Sequence, residues 1–177
     1  KRKPFHKKIL QNFSKILIIQ LQQLGDSLIF TPALRAIRQR YPDAKIDLLV
    51  NTVSHEVYGR SPYVNRFWIL KKNRIFSLEM IKLLQQIRKQ DYGLAILCVT
   101  QQAFRYCLIS YLTKAKERIG FNWRNRGFLN TLQAPFEESE SYIDSNLRIA
   151  ISLDAKPRGQ NLEVWHNDRD KKYIEDL

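Results

Sequence analysis

A rhythm constrains this chain more than any single motif does. Short apolar runs rich in branched residues alternate with segments whose apolar positions recur at helical spacing. The first run, Ile16–Leu21, is of the kind that forms a parallel strand buried on both faces. A turn holding Gly25 and Asp26 follows, and residues 28 to 41 then read as one helix. Its apolar side is Leu28, Ile29, Ala33, Leu34, Ala36 and Ile37, with Arg35, Arg38 and Arg40 pointing outward. Pro42 closes that helical region and Asp43 begins the next turn.

The alternation continues. Lys45–Val50 is the second expected strand, Ser54–Arg60 a short helix stopped by Ser61-Pro62, and Arg66–Leu70 the third strand. Ser77 reads as an N-cap with Glu79 well placed in the first turn. That helix runs to about Gln90 and is expected to bury Met80, Ile81, Leu84 and Ile87. Leu94–Val99 is the fourth strand, Phe104–Leu112 a helix, and Glu117–Phe121 the fifth strand. Residues 122 to 141 are loop-like, with a short strand at Thr131–Pro135. A helix over Tyr142–Leu153 follows, then the segment Asn161–Trp165, then a last helix capped by Asn167 or Asp168. Such alternation predicts an α/β fold, an open, doubly wound parallel sheet. In these sheets ligands bind beyond the carboxyl ends of the strands, at turns leading into helices.

Composition narrows the class further. The chain has 177 residues, 44% of them apolar, enough for one substantial core and too many for a disordered chain. No apolar stretch approaches the roughly 20 residues that span a bilayer. Lys1–Lys15 offers neither the apolar segment nor the cleavage site of a secretory signal. Cys98 and Cys107 sit in apolar runs and read as reduced core residues of a cytosolic protein. His6, His55 and His166 are too dispersed for a metal site. Trp68, Trp123 and Trp165 read as core or loop-anchoring aromatics.

Thirty Lys and Arg against 17 Asp and Glu give a formal charge of +13. The surplus is clustered. Lys1, Arg2, Lys3, Lys7, Lys8 and Lys15 open the chain; Lys71, Lys72 and Arg74 follow the third strand. Lys114, Lys116, Arg118, Arg124 and Arg126 form a third group, relieved only by Glu117. Such a surface attracts a polyanion, whether nucleic acid, an anionic membrane face or an acidic glycolipid, or it is a solvated basic face. Charge alone does not choose.

The turn Gln22-Gln23-Leu24-Gly25-Asp26-Ser27 is where the first strand feeds a helix. Gly25 offers either a positive φ or close backbone approach to a ligand. Asp26 is either an N-cap or a general base at the strand exit. With one glycine the turn is no dinucleotide fingerprint, and without Gly-Lys-Ser/Thr it is no P-loop.

The run from Lys15 through Gln20-Leu21-Gln22-Gln23-Leu24-Gly25-Asp26-Ser27 to Thr31-Pro32-Ala33-Leu34-Arg35 and Tyr41-Pro42-Asp43-Ala44 resembles the start of bacterial lipopolysaccharide heptosyltransferases. These are glycosyltransferase family 9, and the wording is closest to the heptosyltransferase III-like branch. Ile46-Asp47-Leu48-Leu49-Val50 resembles the family's second strand. Ser61-Pro62-Tyr63-Val64-Asn65-Arg66 resembles its N-P-Y-V-D-R, and Ala115-Lys116-Glu117-Arg118-Ile119-Gly120-Phe121 its A-K-x-R-I-G-F.

The resemblance covers residues 15 to 177 and implies the N-terminal, acceptor-side half of a GT-B enzyme, with two Rossmann-like domains facing a cleft. On that reading residues 1 to 14 are a basic extension and the C-terminal donor domain lies outside this chain. The fragment alone is then expected to be inactive. The implied reaction is inverting, metal-independent transfer of heptose from ADP-heptose, with Asp26 as the base. No cofactor is expected beyond the nucleotide sugar, held mainly by the donor domain. The implied acceptor is the anionic lipopolysaccharide inner core. Gln22, Gln23, Gly25, Arg105, Arg118, Arg124 and Arg126 are its expected contacts, since Arg suits phosphate and carboxylate.

A cytoplasmic protein, peripheral on the inner membrane and not bound to nucleic acid, follows from the same reading. Phe5, Ile9, Leu10 and Phe13, at near-helical spacing among lysines, suit either an anionic membrane surface or a packing arm. The chain also departs from the family. Gln22 and Gln23 stand where relatives carry small hydroxyl residues. Cys98 to Arg105 replaces D-L-x-G-N-x-R, and a histidine is missing around Ser139–Tyr142. An inactive or acceptor-binding-only relative is the alternative these departures raise. A basic α/β nucleic-acid binder is the third reading.

Overall fold

The computed structural model describes residues 12–71, 77–98, 104–121, 127–135, 137 and 139–166. Six strands, β1 (Lys15–Gln20), β2 (Lys45–Asn51), β3 (Arg66–Leu70), β4 (Leu94–Leu97), β5 (Glu117–Phe121) and β6 (Leu132–Ala134), form one parallel sheet. Their order is β3-β2-β1-β4-β5-β6, the doubly wound arrangement expected from the alternation. The helices are α1 (Leu24–Leu28), α2 (Thr31–Arg40), α3 (Thr52–Tyr58), α4 (Leu78–Arg88), α5 (Phe104–Leu112) and α6 (Tyr142–Ser152).

β1 is the spine. Ile18 pairs with Leu48 on one side and Ile96 on the other, and residues 16 to 20 have no exposed surface. Successive side chains point to opposite faces. Ile16 and Ile18 join a core with Leu34, Ile37, Tyr58 and Ile149 from α2, α3 and α6. Leu17 and Ile19 join Met80, Leu84, Ile87, Cys107 and Ile109 from α4 and α5. Each such side chain contributes about 1.5–3 kcal/mol by leaving water, so both faces of β1 demand a helical cover.

The expected helix over 28 to 41 begins only at Thr31, as α2, and the turn read before it holds a separate short helix, α1; Pro32 supplies the reason for the break. Proline has no N–H to give the carbonyl four residues back, so the Leu28 carbonyl instead accepts from the Thr31 hydroxyl at 2.8 Å. Pro32 then sits in the first turn of α2, where a missing N–H costs nothing. The arginines of α2 also depart from the outward placement. Arg38 donates to the carbonyls of Tyr63, Pro42 and Ala44 and to Asn65 Oδ1. Burial pulls its guanidinium below the ordinary value. Arg35 pairs with Glu163 and donates to the carbonyls of Arg158 and Asn161. Arg40 stacks on Tyr41 and lies 3.8 Å from Asp154.

Those contacts lay the segment Asn161–Trp165 across α2 without making it a strand or helix. The Glu163 amide donates to Thr31 Oγ1, and Trp165 meets the Tyr63 ring edge-on at 5.7 Å. Ser77, Asn51 and Ser141 cap α4, α3 and α6 with side-chain oxygens. Ile81 is 51% exposed rather than buried, because the inward stripe of α4 is Met80, Leu84 and Ile87. The fourth strand ends at Leu97, two residues short of the expected limit. The expected final helix and Trp123 lie outside the described residues.

One polar chain crosses the second core. Trp68 Nε1 donates to the Tyr92 hydroxyl at 2.9 Å, and that hydroxyl donates to the buried Asp47 carboxylate. Burial first, and Asp47 second, push the Tyr92 hydroxyl far above its ordinary value. Tyr92→Phe strands a buried donor and a buried carboxylate together, so it is expected to cost about 1–3 kcal/mol in urea denaturation. A loss below about 0.5 kcal/mol would contradict that account.

Candidate functional site

The strand order reverses at β1. From β1 the chain moves outward to β2 and β3, then returns to lay β4 on the other side of β1. In doubly wound sheets ligands bind in the crevice where two such connections diverge, which here is beyond the carboxyl ends of β1 and β4. The turn carrying Gln22, Gln23, Gly25 and Asp26 leaves β1 at that place.

Asp26 is the third residue of α1, so it is not the N-cap. Gln23 holds that position and makes no side-chain cap bond. A carboxylate in a first helical turn is favoured by the helix dipole. The Asp26 carboxylate, half-buried, makes no hydrogen bond or ion pair with any described residue. Its backbone, by contrast, is tied down: Gln20 Nε2 donates to the Asp26 carbonyl at 3.0 Å.

The rest of the turn is held from behind by α3. The Gln22 carbonyl accepts from Asn51 Nδ2 and from Ser54 Oγ, both at 3.0 Å. Ser27 Oγ lies 3.0 Å from Ser54 Oγ, and the Ser27 amide donates to the Gln23 carbonyl. Tyr58 donates its hydroxyl to the Ser27 carbonyl at 2.6 Å. Gln20, Ser27, Ser54 and Tyr58 have no exposed surface. Burial pushes the Tyr58 hydroxyl far up, with Cys98 and Asp26 adding to the effect. A buried neutral network therefore fixes the backbone, while the carboxylate has no hydrogen-bond or ion-pair partner among the described residues.

Gly25 does not adopt a positive φ, so conformational freedom does not explain it. A Cβ built there would meet nothing within 4 Å. A side chain would therefore fit there, and the glycine leaves the first turn of α1 bare.

Gln22, Gln23, Gly25 and Asp26 are thus brought together. Arg105, second residue of α5, follows β4 on the same edge of the sheet, exposed, with its guanidinium 4.9 Å from the centroid of the Tyr106 ring. Beside it Phe104 stacks on Phe128 at 5.8 Å. Arg118 is placed elsewhere. It is the second residue of β5, and its donors go to the carbonyls of Leu129 and Ala115. Arg124 and Arg126 lie outside the described residues, as do residues 99–103.

Gln20, Asn51, Ser54 and Tyr58 escaped the sequence reading. Two left a signal: Gln20 is the lone polar residue within Ile16–Leu21, and Asn51 ends a strand just before a helix. His55 lies in α3 with its ring edge-on to Phe67 at 4.9 Å. Among the described residues no three His, Cys, Asp or Glu side chains gather as metal ligands would.

These features define a class: an α/β, Rossmann-like domain with a carboxylate at its switch point. Solved structures share this fold. A family 9 glycosyl transferase from Veillonella parvula superposes with a TM-score of 0.72 at 17% identity, over 97% of this chain and 51% of that one. ADP-heptose lipopolysaccharide heptosyltransferase II of Escherichia coli gives 0.71 at 19% identity, over 92% and 50%.

Sequence similarity points the same way. Lipopolysaccharide heptosyltransferase 3 of Escherichia coli K12 is 30% identical over 76 residues, 41% of this chain and 22% of that protein. A second Escherichia coli heptosyltransferase 3 is 27% identical over 106 residues, 58% of this chain and 31% of that protein. No protein-family model matches. The chain is similar to family 9 heptosyltransferases in sequence and to GT-B heptosyltransferase structures in fold, and it spans about half the length of those structures.

Burial pushes the Cys98 thiol far up and the Cys107 thiol up to about 11. Burial thus disfavours the thiolate at both sulfurs, and only thiolate reacts. Iodoacetamide at pH 8 is expected to leave the folded chain unlabelled and to add two groups in urea, read by intact mass. Rapid native labelling at Cys98 would contradict its burial beyond the end of β4.

Proposed function

We propose that this chain is the acceptor-side domain of an inverting heptosyltransferase of lipopolysaccharide core biosynthesis. The observation that carries the reading is Asp26: a carboxylate without a partner among the described residues, on a braced turn at the switch point. It stands at the motif position of the resembling family.

On this reading an acceptor hydroxyl lies against Asp26 and attacks the anomeric carbon of ADP-heptose. As the new C–O bond forms, the hydroxyl proton passes to the carboxylate, and the bond to the diphosphate breaks on the opposite face. A single displacement inverts the centre and needs no second carboxylate as nucleophile. Gln22, Gln23 and Gly25 line the approach and Arg105 meets an anionic group of the inner core. The donor, and stabilisation of the departing diphosphate, belong to a second domain like the half of the structural neighbours that this chain does not cover. The basic surplus suits an anionic glycolipid at the cytoplasmic face of the inner membrane.

Asp26→Asn keeps the shape and removes the base. In the full-length transferase it is expected to lower kcat by about 10²–10⁴-fold, with the acceptor KM little changed. Transfer from ADP-heptose is the readout, and undiminished turnover would end the proposal.

A further inference from the structure

The edge of the sheet opposite Asp26 carries a cleft of about 260 Å³ lined by Lys15, Lys45, Asp47, Asn65, Arg66 and Gln90. Lys15, Lys45 and Arg66 are the first residues of β1, β2 and β3. Lys15 and Lys45 are register partners in neighbouring strands, as are Asp47 and Arg66. Leu17 is the other partner of Asp47. Side-chain alternation therefore puts all four charged groups on the face covered by α4.

Like charges side by side on one face of a sheet repel, and little in the protein offsets them here. Lys15 Nζ donates to the Gln90 carbonyl at 2.8 Å, and Arg66 reaches Gln90 Oε1 at 3.4 Å. The Arg66 guanidinium also lies 5.3 Å from the centroid of the Trp68 ring. None of Lys15, Lys45 and Arg66 forms an ion pair with any described residue. The one acid in the cleft, Asp47, accepts from Tyr92. Asn65 Oδ1 is taken by the Ile46 amide and Arg38. Three cations thus share a cleft with one carboxylate, a surplus of two positive charges.

We propose that this cleft binds the phosphate group of a phosphate monoester. Such a group carries about −1.5 to −2 charges near neutral pH, which matches the surplus. Arg66 offers a planar fork of donors, while Lys15 and Lys45 act as point charges. The cleft is smaller than the roughly 300–1,000 Å³ that holds drug-sized ligands, which favours a phosphate over a nucleotide. The length of β1, about 20 Å at 3.3 Å per residue, separates it from Asp26, so it stands independently of the catalytic reading. Two sources offer this chemistry: a soluble phosphate ester and a lipid headgroup.

The test is calorimetric titration of the 177-residue chain with inorganic phosphate and glycerol 3-phosphate, beside flotation with phosphatidylcholine vesicles with and without phosphatidic acid. Saturable binding at one site is expected, weakened about tenfold by Lys45→Gln and by Arg66→Gln, the effect of losing one charge-assisted hydrogen bond. Both residues are exposed, so the variants keep the fold. Lys82→Gln, the same charge change on the exposed side of α4, is expected to leave binding unaltered. Binding of glycerol 3-phosphate identifies a soluble ester; flotation that needs phosphatidic acid and Lys45 identifies a headgroup. No saturable binding in any arm, or an equal loss in Lys82→Gln, overturns the proposal.

Discussion

Burial of β1 on both faces is the constraint on which everything else depends. A strand reading Ile16-Leu17-Ile18-Ile19 has no polar side to give to water. It requires a neighbouring strand on each edge and helices above and below. β2 and β4 supply the edges, and α2, α3 and α6 cover one face while α4 and α5 cover the other. Strands cannot be added on both sides of β1 without the chain reversing its direction of travel. The switch point at its carboxyl end, where sheets of this class bind ligands, is a by-product of that reversal.

The same economy shapes the turn. Gln20 points to the face of Ile16 and Ile18, inside an apolar core, and finds its donor's partner in the Asp26 carbonyl. A polar group in such a place calls for a partner; the bond satisfies the amide nitrogen and fixes α1, while Gln20 Oε1 is buried without a hydrogen-bond partner among the described residues. Asn51 performs two tasks with one side chain: its oxygen caps α3 and its nitrogen holds the Gln22 carbonyl. Rigid backbone with a carboxylate that no described residue engages suits proton transfer, because the backbone bonds do not compete with an incoming hydroxyl for the Asp26 side chain.

Much of this was legible beforehand. Arg66–Leu70, Phe104–Leu112 and Glu117–Phe121 fall where the sequence pattern placed them. The misreadings have common physics. Apolar spacing carried one helix across Pro32 because a hydrophobic stripe says nothing about which carbonyl lacks a donor. Arg35 and Arg38 fall on the outward side by spacing, but carbonyls more than 20 residues away in sequence claim their donors. The braces at Ser54 and Tyr58 reach a turn more than 25 residues earlier.

What the sequence determined alone is the strand-helix alternation, most of the buried stripes and the carboxylate at the end of the first strand. These follow from local periodicity, and local chemistry is written in order along the chain. Only the tertiary structure decided which groups share space. It joined Asn51, Ser54 and Tyr58 to the Asp26 turn, sent Arg118 to the far half of β5, and set Lys15, Lys45 and Arg66 around one cleft. Strand register makes those choices, and register is a property of pairs of strands that no single segment contains.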